Sequence, residues 1–383
     1  MFNFDFYNPT HIVFGKDRLG ELDRLVPAKA RVLVTYGGGS VKKFGTLDKV
    51  KAALGSRKVA EFGGIEPNPK YKTLLKAVEV VRKNNIDFLL AVGGGSVMDG
   101  TKFIAAAAPY EGEPAGLIKS RLSQIKTAIL LGTVVTLPAT GSEMNDGCVI
   151  SYEDGKFPLF SKLLFPRFSI IDPTLTYTLP REQVANGIVD AFIHTCEQYV
   201  TFPAEGRFQD RTAEGILQTL IEVGKKTMDN PTDYDARANL VWCAAMALNG
   251  LIAAGVPEDW TAHTIGHELT AMFGIDHGKT LAILQPSIWN VLKEQKHAKL
   301  LQYAERVWNI TDGDELSRIG LAIGKTRDFF ESLGVKTHLA DYNVTADKID
   351  DIVKALEKHG LTALSETRGV TLAVSRQILE GAM

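Results

Sequence analysis

Three of the eight histidines in this chain lie within fifteen positions of one another. His263 and His267 are four residues apart, and His277 follows ten residues later. Asp190 and His194, further upstream, repeat the spacing of four. Residues with this spacing share one face of a helix, so each pair can present both side chains to the same ion. One carboxylate with several imidazoles is the ligand set of a borderline divalent metal.

The surroundings of these residues favour a metal over its alternatives. Solvated or hydrogen-bonded histidines are the simplest alternative, but two such pairs in apolar settings favour convergence on one ion. His267 and Glu268 do not form the zinc-protease motif, because Ala271 stands where that motif needs its second histidine. A structural zinc staple usually has a cysteine-rich shell, and the three cysteines, Cys148, Cys196 and Cys243, are scattered.

A Gly-Gly-Gly-Ser turn, Gly93-Gly94-Gly95-Ser96, follows an apolar run at 86–92. Such a turn lets the backbone approach a ligand closely, and the helix that follows presents free N–H groups to a phosphate. The turn departs from the usual dinucleotide fingerprint, because Met98 occupies the place of the last glycine. A tight strand-to-helix turn without a ligand is the alternative. Asp99 is expected either to support the loop or to contact a ribose.

The same four residues occur earlier in the chain at Gly37-Gly38-Gly39-Ser40, after a run that ends in Tyr36. In chain order, Gly37–Ser40 is the first glycine turn and Gly93–Ser96 is the second. Sites that select NAD usually hold an acidic residue near the adenine ribose. Here Ser40 offers a hydroxyl, Lys42 and Lys43 follow, and no carboxylate in the turn would repel a 2′-phosphate. The turn therefore predicts NADP rather than NAD.

Strand and helix patterns alternate in the first half of the chain. Strands are predicted at 31–36, 86–92, 128–136 and 168–172, with helices at 41–54, 72–84 and from Ser96 through Ala108. This order predicts a mostly parallel sheet with helical crossovers. Beyond Pro180 no convincing strand appears, and helical periodicity occurs at 184–200, 208–228, 233–254, 261–273, 281–292, 296–307, 315–333, 345–358 and 371–379. Two domains are predicted, 1–178 and 179–383.

Composition narrows the function classes. The chain has 383 residues, a formal net charge of −2 and no basic stripe, so nucleic acid is not expected as a partner. No apolar run reaches the roughly 18 residues of a membrane span, and the N-terminus lacks the pattern of a signal peptide. Three scattered cysteines, each expected to be a buried small hydrophobic residue, indicate a reducing cytoplasm.

Together these segments resemble the iron-containing, or group III, alcohol dehydrogenases. The resemblance rests on 93–102, on Thr136-Leu-Pro-Ala-Thr140-Gly-Ser-Glu143, on Asp190-Ala-Phe-Ile-His194, and on His263-Thr-Ile-Gly-His267 followed by His277-Gly278. It covers almost the whole chain. Within the family, the chain is most similar to the NADP-dependent aldehyde reductase and butanol dehydrogenase branch, which also has the first glycine turn.

The resemblance implies an α/β fold plus an all-α part. A Rossmann-like parallel-sheet domain would bind the dinucleotide, a C-terminal all-helical domain would bind the metal, and the active site would lie in the cleft between them. The implied metal ligands are Asp190, His194, His263 and His277, and His267 would be either a histidine that contacts the ligands or a catalytic histidine near the substrate. The metal would be iron or zinc, and the protein a homodimer. Implied cofactor contacts beyond the glycine turns are Asn68, Thr136, Thr140, Asn145, Lys156 and Tyr177, of which the last two are placed by approximate register.

The predicted function is a metal-dependent NADP(H) enzyme that interconverts primary alcohols and aldehydes by hydride transfer. The partner would be a small aldehyde or alcohol. A related lyase of the dehydroquinate synthase type also uses a metal and a nicotinamide cofactor, and it is the alternative. That enzyme needs basic side chains for a substrate phosphate, whereas Trp260, Met272 and Phe273 dominate beside the metal segments.

Overall fold

The computed structural model describes residues 1–383 as two compact units. One unit is Tyr7–Leu179, and the other is Pro180–Met383 together with Met1–Phe6. The first six residues join the second unit because the backbone N–H of Phe2 donates to the Gly255 carbonyl at 2.8 Å, and the Phe2 ring lies edge-on to Phe202. The two domains predicted at 1–178 and 179–383 stay a prediction.

Ten strands occur along the chain, and six of them form one sheet. The strands are β1 (His11–Phe14), β2 (Arg31–Thr35), β3 (Lys58–Phe62), β4 (Phe88–Gly93), β5 (Leu130–Val135), β6 (Gly147–Tyr152), β7 (Gly155–Phe160), β8 (Phe168–Ile171), β9 (Ala363–Leu364) and β10 (Val370–Thr371). The sheet has the order β1-β8-β5-β4-β2-β3, and all of its pairs are parallel. The prediction of a parallel α/β sheet is confirmed.

The helices of this unit cross between the parallel strands. They are α1 (Leu22–Leu25), α2 (Ser40–Lys43), α3 (Thr46–Leu54), α4 (Tyr71–Lys83), α5 (Gly95–Ala107) and α6 (Pro114–Lys119). The single helix predicted at 41–54 is instead two, because the backbone turns at Gly45, whose φ is +74°. The two edge strands β1 and β3 and the antiparallel hairpin β6–β7 were not predicted. These strands are only partly buried, so their apolar runs are weak.

The second unit is mainly helical. Its helices are α7 (Arg181–Tyr199), α8 (Arg207–Asp229), α9 (Tyr234–Ala247), α10 (Thr261–Phe273), α11 (His277–Val291), α12 (His297–Trp308), α13 (Glu315–Ser332), α14 (Ile349–Lys358) and α15 (Leu372–Gly381). Helix α11 begins four residues earlier than predicted, so it includes His277. Helix α9 ends at Ala247 rather than 254, and the short hairpin β9–β10 was missed. None of the helices has the length and hydropathy needed to cross a bilayer.

The sheet brings the two glycine turns together. Strands β2 and β4 are neighbours, with Thr35 opposite Ala91, and both strands are buried because helices cover both faces of a parallel sheet. Each turn follows the carboxyl end of its strand. A Cβ atom added at Gly37 would lie 3.6 Å from Cγ2 of Val97, on the helix that follows the other turn. Ligands of open α/β sheets bind at this edge.

Candidate active site

Four predicted metal ligands converge in the helical unit. The Nε2 atoms of His194, His263 and His277 each lie 3.7 Å from Oδ1 of Asp190. Helix α7 supplies Asp190 and His194 one turn apart, whereas His263 comes from α10 and His277 is the first residue of α11. Three imidazole nitrogens therefore surround one carboxylate oxygen.

Two polar atoms at this centre have no hydrogen-bond partner in the protein. Oδ1 of Asp190 and Nε2 of His263 are buried and have no hydrogen-bond partner. Buried polar atoms are rarely left in this state. The ligand atoms of Asp190, His263 and His277 all lie within 4.8 Å of one another, and His194 adds a further imidazole. Three nitrogens and one oxygen fit a divalent cation, and this donor set accepts iron or zinc.

The electrostatics of the centre also suit a cation. Burial opposes ionisation of Asp190, but the imidazoles of His194, His277 and His263 outweigh it and hold the pKa of the carboxyl well below its usual range. Burial disfavours the charged form of His263, but the carboxylates of Glu197 and Asp190 raise the pKa of this imidazole to about 9. The carboxyl groups of Asp190 and Glu197 therefore favour positive charge on His263, which lies between them.

Glu197 is a site residue that the sequence interpretation missed. Its Oε1 atom accepts a hydrogen bond from the backbone N–H of Ala262 at 2.7 Å, and its Oε2 atom contacts Nδ1 of His263. The sequence does hold a signal for it. Glu197 follows Asp190 by seven residues and His194 by three, which places all three on one face of α7.

His267 lies beside the four converging residues. It is half-buried, and its ring centroid is 5.2 Å from that of His277 and 6.3 Å from that of His263. The Trp260 ring meets His263 edge-on at 5.3 Å. Although His263 and His267 share a helix face, only His263 has its Nε2 atom 3.7 Å from the Asp190 oxygen.

The second glycine turn leaves no room for side chains. A Cβ atom at Gly94 would lie 2.9 Å from Cβ of Leu137, and one at Gly95 would lie 2.5 Å from Oγ1 of Thr140. The backbone N–H of Thr136 donates to the Gly93 carbonyl at 2.9 Å and holds the 136–140 segment against the turn. Because α5 begins at Gly95, its first N–H groups lie at this turn. The turn fits a pyrophosphate group.

Three further predicted cofactor residues lie together. The backbone N–H of Asn68 donates to Oγ of Ser96 at 3.2 Å, and Nζ of Lys156 donates to Oδ1 of Asn68 at 2.8 Å. Asn68 has a positive φ of +55°, which asparagine tolerates better than most residues. Tyr177 directly follows the short 3₁₀ helix Pro173–Thr176, which comes after β8.

Asp99 and Asn145 are held by the protein itself. Oδ1 of Asp99 accepts from the Ser142 hydroxyl at 2.7 Å, and Oδ2 accepts from the Val149 N–H at 2.8 Å. Of its two expected roles, these contacts favour loop support. Nζ of Lys102 donates to the carbonyl and to Oδ1 of Asn145 at 2.9 and 3.0 Å. Lys102 therefore positions Asn145, a role that the sequence interpretation did not assign.

The surroundings of the first glycine turn include a carboxylate, contrary to expectation. Glu61 on β3 pairs with Lys51 at 2.7 Å and with Lys42 at 3.5 Å, and its Oε2 atom accepts from the Tyr36 hydroxyl at 3.4 Å. Glu61 was missed because β3 pairs with β2 only in the folded sheet. Lys51 chiefly, and then Lys42, lower the pKa of Glu61 against the effect of burial. Gly38 has open space around it.

Known proteins of one family match this chain over nearly its whole length. Residues 9–173 match the family model of iron-containing alcohol dehydrogenase, and residues 184–368 match the C-terminal model of the Fe-containing alcohol dehydrogenase family. The NADPH-dependent aldehyde reductase YqhD of Escherichia coli (strain K12) is 56% identical over 386 residues and covers 100% of both chains. A solved structure of that aldehyde reductase in a substrate- and cofactor-free form has a TM-score of 0.95 at 55% identity, with 100% of both chains covered.

Two more distant relatives are butanol dehydrogenases. NADH-dependent butanol dehydrogenase A of Clostridium acetobutylicum is 38% identical over 363 residues, which is 92% of each chain. The structure of NADH-dependent butanol dehydrogenase A from Thermotoga maritima has a TM-score of 0.94 at 34% identity and covers 100% of this chain and 99% of that one. These relatives give the dehydroquinate synthase alternative no support. The chain belongs to the iron-containing alcohol dehydrogenase family.

Proposed function

We propose that this protein is a metal-dependent aldehyde reductase that uses NADPH and also catalyses the reverse oxidation of primary alcohols. The observation that carries the proposal is the convergence of three Nε2 atoms, each 3.7 Å from Oδ1 of Asp190. The orphaned polar atoms of Asp190 and His263 support a cation there. The name of the E. coli relative, 56% identical over the full length, supports the substrate class and the cofactor.

In this proposal, Asp190, His194, His263 and His277 hold one divalent cation. When bound, the cation polarises an aldehyde oxygen as a Lewis acid and the reduced nicotinamide supplies a hydride. His267 lies beside His277 and is half-buried, so it can hold a proton near the oxygen. The overall reaction converts one aldehyde, one NADPH and one proton to one primary alcohol and one NADP⁺.

The glycine turns bind and orient the cofactor. Gly94, Gly95 and the first N–H groups of α5 take the pyrophosphate, with Thr136 and Thr140 lining the turn. The cluster of Asn68, Ser96 and Lys156 offers hydrogen-bonding groups beside it. The other proposed contacts are Gly37, Gly38, Gly39, Ser40, Asn145 and Tyr177, whereas Asp99 supports the loop through Ser142 and Val149.

The preference for NADPH is a separate proposal. The E. coli relative is named for NADPH, whereas the butanol dehydrogenases at 38% and 34% identity are named for NADH. At the first glycine turn, open space at Gly38 leaves room for a 2′-phosphate, and Lys42 and Lys51 offset the charge of Glu61. Ser40 adds a hydroxyl donor.

Replacing Gly38 tests the preference. Gly38→Asp fits without a clash, and two charges about 4 Å apart near a protein surface repel by about 4 kcal/mol before salt screening. Screening leaves an expected loss of roughly tenfold to hundredfold in kcat/KM for NADPH, with little change for NADH. Gly38→Asn is the matched neutral control. An equal loss in both variants, or a wild-type preference for NADH, contradicts the proposal.

Metal identity, assembly and location complete the proposal. The ligand set suits iron or zinc. Phe2, Phe4 and Phe6 are about half exposed, and these apolar rings would be covered in the proposed homodimer. Free, buried cysteines, Cys148, Cys196 and Cys243, are consistent with a reducing cytoplasm.

A screen of butanal and other aldehydes with NADPH and NADH, with metal analysis on the same sample, tests the function directly. We expect metal-dependent reduction that is faster with NADPH. His263→Ala should lose both the metal and turnover while its circular dichroism stays native. Stoichiometric metal with normal turnover in His263→Ala would overturn the ligand assignment.

A further inference from the structure

We propose that Glu197 is a positioning residue that fixes the orientation and tautomer of His263 for metal binding. The inference rests on the proposed function, since it takes His263 as a ligand. It concerns a residue that contacts neither substrate nor cofactor in that proposal. Glu197 is buried, with 3% of its surface exposed, although glutamate is almost never buried without partners.

Both carboxylate oxygens of Glu197 have a partner on α10. Oε1 accepts from the backbone N–H of Ala262 at 2.7 Å and of His263 at 3.3 Å, which are among the first N–H groups of the helix. Oε2 contacts Nδ1 of His263. One side chain therefore caps the start of α10 and holds the imidazole that this helix presents.

The contact with Oε2 decides which nitrogen of His263 is available. An ionised carboxylate only accepts hydrogen bonds, so Nδ1 must carry the proton that faces it. In the neutral imidazole that a metal binds, Nε2 is then the unprotonated nitrogen, and it is the buried atom without a hydrogen-bond partner that lies 3.7 Å from Oδ1 of Asp190. A histidine ligand needs this arrangement, because the metal takes the lone pair of the unprotonated nitrogen.

A buried ion-pair network holds the same segment in place. The Asp259 N–H donates to the Glu197 carbonyl at 2.8 Å, and Oδ1 of Asp259 accepts from the Thr261 N–H at 3.0 Å. Nζ of Lys296 pairs with Asp259 at 2.9 Å and with Glu366 at 2.9 Å. The end of α7 and the start of α10 are thus joined by several buried contacts, which limit the freedom of Glu197 to turn away.

Glu197→Gln tests the role most sharply. The Gln carbonyl can still accept from the two backbone N–H groups, but its amide N–H₂ then faces Nδ1 of His263. Two donors would meet, so the imidazole must move its proton to Nε2 or rotate. We expect Zn²⁺ affinity, measured by competition with a chelator, to fall about 10- to 100-fold, while the melting temperature of the metal-free protein changes little.

The control is Glu214→Gln. Glu214 is also a buried carboxylate of the helical unit, and its Oε1 atom accepts from the Tyr199 hydroxyl at 2.8 Å, but it contacts no proposed ligand. We expect Zn²⁺ affinity in this variant to match wild type. Equal losses in Glu197→Gln and Glu214→Gln would mean that removing any buried charge loosens the unit, and the inference would fail.

A measurement on the wild-type protein needs no substitution of Glu197. In Zn²⁺-loaded protein labelled with ¹⁵N-histidine, His263 should show a protonated Nδ1, with its signals assigned by their loss in His263→Ala. A protonated Nε2 on His263 overturns the inference. Wild-type Zn²⁺ affinity in Glu197→Gln also overturns it and leaves the metal site standing. Wild-type affinity in His263→Ala overturns the proposed ligand set instead.

Discussion

At the scale of single residues, His263 and His267 show how one helix turn separates two roles. Nε2 of His263 lies 3.7 Å from the Asp190 carboxylate, whereas His267 is half-buried with its ring centroid 5.2 Å from that of His277. Their different neighbours suit a ligand and a proton-transfer group respectively. Replacing each should therefore give a different combination of metal loss and rate loss.

We expect His267→Ala to retain its metal and lose about 10²- to 10⁴-fold in kcat, which is the usual contribution of a positioned acid or base. Metal analysis of the purified variant and kcat across pH 5–9 are the measurements. Loss of the metal would make His267 a ligand and require a different site.

Glu143 predicts a pH dependence of stability. It is fully buried, both of its carboxyl oxygens lack hydrogen-bond partners, and burial raises its pKa to about 7. For an acid whose folded pKa exceeds its unfolded value of 4.5, the stabilising contribution is complete below pH 4.5 and is lost as pH rises to 7. Between pH 5 and pH 8, the titration of Glu143 should therefore lower the free energy of unfolding by about 2 to 3 kcal/mol.

Glu143→Gln removes this titration. The free energy of unfolding of the variant, relative to wild type, should therefore increase by about 2 to 3 kcal/mol between pH 5 and pH 8. Urea denaturation at the two pH values measures the difference. Glu222→Gln, at an exposed position, is the control and should show little change. Parallel pH curves for wild type and Glu143→Gln would show that Glu143 is already ionised in a polar environment.

At the scale of elements, the position of α11 against α7 sets the geometry of the metal ligands. A Cβ atom at Gly278 would lie 2.6 Å from the backbone carbonyl oxygen of Asn186, so only glycine allows this approach. Gly278 directly follows His277, and Asn186 lies one helical turn before Asp190. The close contact therefore fixes the distance between two proposed ligands on different helices.

Gly278→Ala should push α11 away from α7. We expect a loss of about 1 to 3 kcal/mol in stability, typical of overpacking, and at least tenfold weaker Zn²⁺ binding. Gly320→Ala is the matched control, because nothing lies within 4 Å of the added Cβ in the exposed part of α13. That change should stabilise the helix by about 0.5 to 1 kcal/mol and leave Zn²⁺ affinity unaltered. Native metal affinity in Gly278→Ala would show that the helices adjust without moving the ligands.

At the scale of the whole molecule, the proposed metal ligands and the glycine turns belong to different compact units. A ligand stabilises the structure to which it binds, by about 2.7 kcal/mol when its free concentration is 100 times its dissociation constant. Metal and cofactor should therefore protect different parts of the chain from local unfolding.

Removing the metal with a chelator should raise amide hydrogen exchange most in α7, α10 and α11. Adding NADPH should lower exchange most at the carboxyl ends of β2 and β4 and at the start of α5. Hydrogen exchange read by mass spectrometry, with and without each ligand, tests both expectations. Unchanged exchange in α7, α10 and α11 after complete metal removal would be incompatible with a metal bound by these helices.

Local patterns in the sequence predicted much of the fold and several features of the site. The periodicity of apolar residues predicted the parallel sheet and the helical second half, and α10 was predicted at its observed bounds. The two glycine turns and the ligand types were also visible, because turn chemistry and a spacing of four residues are local properties. The weaker edge strands β1 and β3 were missed, since short, half-exposed strands lack a strong apolar pattern.

Tertiary structure decided which of these residues meet. His263 and His267 have the same spacing signal, and only the packing of α7, α10 and α11 brings Nε2 of His263 to 3.7 Å from Asp190. Glu197 contacts His263 from 66 residues away, and Glu61 reaches the first glycine turn through the pairing of β3 with β2. Such contacts depend on how whole elements pack, because residues distant in the chain become neighbours only when burial of the apolar faces fixes the elements together.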